Sequence, residues 1–117
     1  MGSTEKLNKT ALTILQDAEA VLYLSAASVW EIAIKAAIGK LALPEKPDNF
    51  VANATRALRL VALPITPLHA LAVFELPAYH GDPFDRMLIA QALVENLTLL
   101  TVDRVFQKYN LQVIQCD

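Results

Sequence analysis

An α/β protein with a mostly parallel sheet is the fold this sequence predicts, on two observations. Four short apolar runs rich in β-branched residues alternate with stretches of helical periodicity. The runs are apolar on consecutive positions, as strands buried on both faces must be, and such strands pair in parallel beneath helices on either side. Composition agrees: 55% of the 117 residues are hydrophobic and only three are glycine, against a usual apolar share of about 45–50%.

The elements follow in order. Residues 4–19 repeat apolar side chains at Leu7, Ala11, Ile14, Leu15 and Ala18, the spacing of a helix with one apolar face. Residues 21–25 read as the first strand of the chain. A second helix carries Trp30, Ile34 and Ile38 at intervals of four, a spacing that makes Trp30 most simply a core residue alongside Ile34, and ends at Gly39. Asp48 is expected to cap a third helix running to about residue 60, and residues 61–65 form the second strand. Thr66-Pro67 sets a cap residue before a proline at the first helical position, and Pro77 stops that helix soon after Glu75. Asp82-Pro83 repeats the signal and opens a long helix to about Glu95. Residues 97–102 form a third strand, Asp103 caps a short helix through Lys108, and residues 112–116 form the last strand.

The length suits one domain over residues 1–117, with no repeat or linker to divide it. A net charge of −2 gives no overall field to attract nucleic acid, so any RNA contact must be local. Cys116 is the only cysteine, which excludes an internal disulfide and favours a reducing compartment. No apolar run approaches the roughly 18 residues of a membrane span. The first residues lack a basic-then-apolar signal pattern. The expectation is a soluble cytoplasmic protein with no membrane partner.

Ligands of such sheets bind beyond the carboxyl ends of the strands, and three acids begin helices in the loops there: Glu31, Asp85 and Asp103. Asp85 stands above Leu88 and Ile89 at i+3 and i+4, so it points toward the same face as core residues. Carboxylates that converge at the edge of a core repel one another and are costly to desolvate, and a divalent cation removes that cost. Hard oxygen donors select Mg²⁺ or Mn²⁺ over zinc. The chemistry this supports is phosphodiester hydrolysis, with the cation activating water and stabilising charge on the phosphate oxygens.

Each acid also has a purely structural reading. Ser28-x-x-Glu31 matches a capping box, and Glu31 can pair with Lys35 at i+4. Asp82 fits an N-cap, which puts Asp85 at the third helical position, where any acid favours the dipole. Asp103 fits an N-cap alone. Spacing leaves open whether the three acids meet. His69 and His80 lack a paired ligand spacing and read as structural, and Lys35, Lys40 and Lys46 as a solvated face. Arg86 and Arg104 adjoin the acids, as RNA contacts or as neutralising neighbours.

The stretch Ser25-Ala-Ala-Ser-Val-Trp-Glu-Ile-Ala-Ile-Lys, followed by Gly39-Lys-Leu, resembles the PIN-domain segment that carries the second acid of that family. His80-Gly-Asp-Pro-Phe-Asp-Arg-Met-Leu-Ile-Ala-Gln-Ala is similar to its third-acid helix, and Leu100-Thr-Val-Asp-Arg-Val-Phe to its fourth-acid turn. The resemblance implies a three-layer α/β/α fold with Glu31, Asp85 and Asp103 as metal-binding catalytic acids. Thr101 would orient the site, with Arg86 and Arg104 toward the substrate. Many bacterial members are VapC-type toxins, Mg²⁺- or Mn²⁺-dependent endoribonucleases held inactive by a cognate antitoxin, and that is the function implied here. The family's domain normally opens with a strand ending in an aspartate, central in the order 3-2-1-4-5. This sequence instead opens on Met-Gly-Ser-Thr-Glu-Lys-Leu-Asn-Lys, which resembles the loop and helix that follow that strand. The chain is accordingly read as an N-terminally truncated PIN-like domain. Weaker metal binding is expected, and strand rearrangement or association of two copies to close the open strand edges. The same reading raises an alternative, a PIN-like remnant that no longer cleaves and serves as a binding or assembly module. A phosphate-accepting regulatory α/β domain fits less well, since the acid cluster at a first strand and the later lysine are not evident.

Overall fold

The computed structural model describes residues 21–79, 81–101 and 113–115. The helices expected at 4–19 and 103–108 lie outside the described residues, as do His80, Asp103, Arg104 and Cys116. The described elements are β1 (Tyr23–Ser25), α1 (Ala26–Ala37), α2 (Pro47–Leu58), β2 (Val61–Leu63), α3 (Pro67–Ala72), a 3₁₀ turn (Val73–Glu75), α4 (Pro83–Glu95), β3 (Leu99–Thr101) and β4 (Val113–Gln115). Each expected strand is found, with three described residues in each. No helix among the described residues is long and apolar enough to cross a membrane.

The chain divides into two compact units. In the first, Val21–Ile65, β1 and β2 pair in parallel with Tyr23 opposite Val61 and Ser25 opposite Leu63. Helices α1 and α2 connect them, as parallel strands require a long crossover. Ser25 ends the strand and begins the helix at once: its backbone is extended and its buried hydroxyl accepts the N–H of Ala27 at 3.0 Å. The N-cap of α1 is therefore Ser25, one turn before the Ser28 that the sequence suggested. A cap of this kind contributes about 1 kcal/mol.

Two further expectations are corrected here. Trp30 is 59% exposed, while Ala27 and Ile32 are the buried residues of α1. The helix is apolar on nearly every face, so its periodicity could not identify the inner one. Trp30 instead borders an open, almost wholly apolar cavity of about 480 Å³ that Leu24, Val29, Val51, Leu60 and Leu63 also line. Helix α2 begins at Pro47 with Lys46 at the cap position, not at Asp48. Asp48 lies in the first turn and its carboxylate accepts the N–H of Asn49 at 2.9 Å. Proline at the first helical position makes the side-chain cap less needed, because one orphan N–H is already gone.

In the second unit, the described residues from Thr66 onward, α3 and α4 pack on each other. Ile89, Ala90, Gln91 and Ala92 are all buried. Four consecutive buried residues cannot share one face of a helix, so this part of α4 is enclosed on all sides. The helix ends at Asn96, whose φ of 55° is left-handed, and Leu97 N–H closes onto Ala92 O at 2.8 Å. Strands β3 and β4 pair in parallel, with Leu99 opposite Val113 and Thr101 opposite Gln115. The order 3-2-1-4-5 makes β2–β1 and β3–β4 neighbours, and these are the two pairings found.

Candidate active site

Glu31 is the sixth residue of α1, beyond the first turn rather than at its start. Its Oε2 accepts from Lys35 Nζ at 2.8 Å, the i+4 pair the spacing anticipated. The glutamate side chain is 23% exposed and the lysine 47%. An exposed i,i+4 pair is worth about 0.3–0.5 kcal/mol, too little to keep a divalent cation from Glu31.

Asp85 is half-buried at the third position of α4, in a turn held from both sides. Asp82 is the N-cap, as expected: its Oδ1 accepts Phe84 N–H at 2.8 Å and Asp85 N–H at 3.2 Å. The helical ladder then starts with Arg86 N–H to Asp82 O at 3.0 Å. Thr101 closes β3. Asp103 and Arg104 lie just past it, outside the described residues.

Arg86 makes backbone contacts that the sequence reading did not anticipate. Its guanidinium donates to three backbone carbonyls, Val73 O at 3.1 Å, Pro77 O at 3.1 Å and Leu76 O at 3.4 Å. Val73 O also accepts the N–H of Leu76 at 3.2 Å, while the carbonyls of Leu76 and Pro77 lie beyond the 3₁₀ turn, where a cation can satisfy acceptors that have no helical partner. No sequence signal marked this, because the contact spans nine to thirteen residues of chain.

His69 is structural, as expected, and is 1% exposed. Thr66 Oγ1 accepts His69 N–H at 3.3 Å while His69 Nδ1 accepts Thr66 N–H at 3.1 Å, a capping box with histidine in the place of Glu or Gln. Since Nδ1 is an acceptor, the ring proton sits on Nε2 and is donated to Glu95 Oε1 at 2.9 Å. Gln91 Nε2 lies 3.5 Å from Nδ1 on the same side. The signal that could have revealed it was Thr66-x-x-His69, at capping-box spacing.

With His69 sealed into the fold, the donors available at the proposed acid positions are carboxylate oxygens, which suit a hard cation such as Mg²⁺ or Mn²⁺ and not a soft one. Glu31 belongs to the unit Val21–Ile65 and Asp85 to the other. Among the described residues, neither unit by itself gathers three His, Cys, Asp or Glu side chains into a metal cluster.

Parallel strands joined through helices, with the helix of Glu31 springing directly from the end of β1, place the chain in the α/β class. A model of the PIN domain matches residues 1–111, and the chain belongs to that family. PIN domains are generally metal-dependent nucleases, and those nucleases bind RNA. No match was found among curated proteins.

Proposed function

We propose that the protein is a metal-dependent endoribonuclease of the VapC toxin type, hydrolysing RNA phosphodiester bonds in the cytoplasm and restrained by a cognate antitoxin. Glu31, Asp85 and Asp103 hold the cation, Mg²⁺ or Mn²⁺. Bound there, it supplies an activated water and charge stabilisation at phosphorus. The observation that carries this reading is the family match over residues 1–111, a span that takes in all three acids.

The chain's own residues have distinct tasks. Asp82 fixes the first turn of α4 and so the backbone from which Asp85 projects. Lys35 keeps Glu31 neutralised until a cation displaces it. Thr101 and Arg104, within two residues of Asp103 in sequence, orient the site and meet RNA phosphate. Two copies of the chain associate, which sedimentation at micromolar concentration checks: a single species at the mass of one chain removes that part of the reading.

The deciding experiment incubates the protein with RNA and Mn²⁺, with and without chelator, beside Asp103→Asn. Cleavage that disappears in both controls supports the enzyme. Equal cleavage in every tube exposes a contaminating ribonuclease. No cleavage in any tube favours a PIN-like module that binds without cutting.

A further inference from the structure

We propose that Arg86 is a positioning residue for Asp85 and not a contact for RNA. The inference rests on the reading of Asp85 as a metal-binding acid, and extends it to the residue beside it.

The geometry is that of a clamp. Arg86 is the fourth residue of α4. Its guanidinium reaches back to the carbonyls of Val73, which opens the 3₁₀ turn, and of Leu76 and Pro77, which follow it. A guanidinium is a rigid planar fork, so donating to several carbonyls at once fixes both the helix start and the incoming chain. Asp82 closes the other end of the connection by accepting the N–H groups of Phe84 and Asp85. Asp85 lies in sequence between Asp82 and Arg86, the two residues whose side chains make these contacts. Its backbone is held before any ligand arrives, which is the support that a metal-binding carboxylate needs from its surroundings.

A phosphate-binding role competes with this one. Turning the fork toward RNA would take the guanidinium donor from the carbonyls of Leu76 and Pro77, while Val73 O would keep the N–H of Leu76, and a partly buried acceptor left without a donor is destabilising. Two of the three bonds are partly buried. The fork is worth more where it is.

The test compares the full chain with Arg86→Gln, Arg86→Lys and Asp85→Asn by Mn²⁺ titration calorimetry, alongside thermal unfolding and RNA cleavage at saturating Mn²⁺. Asp85→Asn should abolish or strongly weaken Mn²⁺ binding; unchanged binding there overturns the metal role of Asp85 and the proposal with it. Given that loss, Arg86→Gln should weaken Mn²⁺ binding about tenfold, as removal of a supporting partner does. Cleavage by this variant should have a lower kcat, with the KM for RNA and its salt dependence unchanged. Wild-type Mn²⁺ affinity in a folded Arg86→Gln, or a raised KM with kcat intact, overturns the proposal while leaving Asp85 as a ligand. Should Arg86→Gln unfold, Arg86→Lys decides: it keeps the charge and one donor group but not the fork, so an affinity between the two is expected. Wild-type affinity in Arg86→Lys refutes the clamp.

Discussion

Glu31 carries its own counter-ion, and that sets how readily it gives up an oxygen. The Lys35 ammonium lies 2.8 Å from Glu31 Oε2 on a half-exposed helix surface. Water screens such pairs, so the lysine offsets a carboxylate charge without tying it down. A cation arriving at Glu31 must displace or tolerate a neighbouring positive charge. Lys35→Ala should therefore tighten Mn²⁺ binding by about twofold to fivefold, the equivalent of roughly 0.3–1 kcal/mol. Calorimetry at low ionic strength reads this directly, and the gain should shrink as salt is added. An affinity that falls instead would mean that Lys35 orients Glu31 more than it opposes the ion. The pair was legible in the sequence because i and i+4 are neighbours on any helix. The cap was not: Ser25 and Ser28 stand one turn apart before the same apolar run, and either hydroxyl satisfies the same kind of orphan N–H.

Helices α3 and α4 are joined by a polar contact between the buried His69 ring and the exposed Glu95 carboxylate. His69 takes the Thr66 N–H at one nitrogen and gives its proton to Glu95 with the other, so one ring both starts α3 and fastens it to the far end of α4. Helix α4 carries Asp85 near its start, and its position depends on that fastening. His69→Leu keeps the volume but strips Thr66 N–H and Glu95 of a partner, and the Gln91 amide of one as well. A buried donor left unmade costs about 1–3 kcal/mol, so the variant should lose stability on that scale. Urea unfolding should show a lower midpoint with an unchanged slope. A loss below about 0.5 kcal/mol would mean that the ring fills space and little more. The starts of these helices were readable from Thr66-Pro67 and Asp82-Pro83, because caps are local chemistry. Which face of α1 turns inward was not, since Trp30, Ile34 and Ile38 compete with Ala27 and Ile32 for burial. Arg86 escaped for the same kind of reason: its carbonyl partners are brought near by tertiary structure alone.

At the scale of the whole molecule, the alternation of strand and helix was enough to predict parallel pairing, and both pairings are parallel. The site is harder to read from sequence, because no local rule says which distant acids share an ion. Glu31 and Asp85 come from different compact units, so the proposed function makes a claim about energetic coupling between them. That claim is measurable. If both acids hold one cation, removing either leaves a weakened site at which the second removal costs less than it would alone. Glu31→Gln and Asp85→Asn should then be non-additive in Mn²⁺ affinity, with an interaction energy of about 0.5–3 kcal/mol in a double-mutant cycle. Ligand linkage gives an independent reading of the same quantity. A cation at a hundredfold excess over its Kd stabilises the folded state by about 2.7 kcal/mol, and each single variant should forfeit most of that gain in thermal unfolding. Losses that simply add, with each variant keeping its own Mn²⁺-dependent shift, would mean that the two acids serve separate ions or none in common, and the proposed catalytic set would have to be redrawn around Asp103 and one of them.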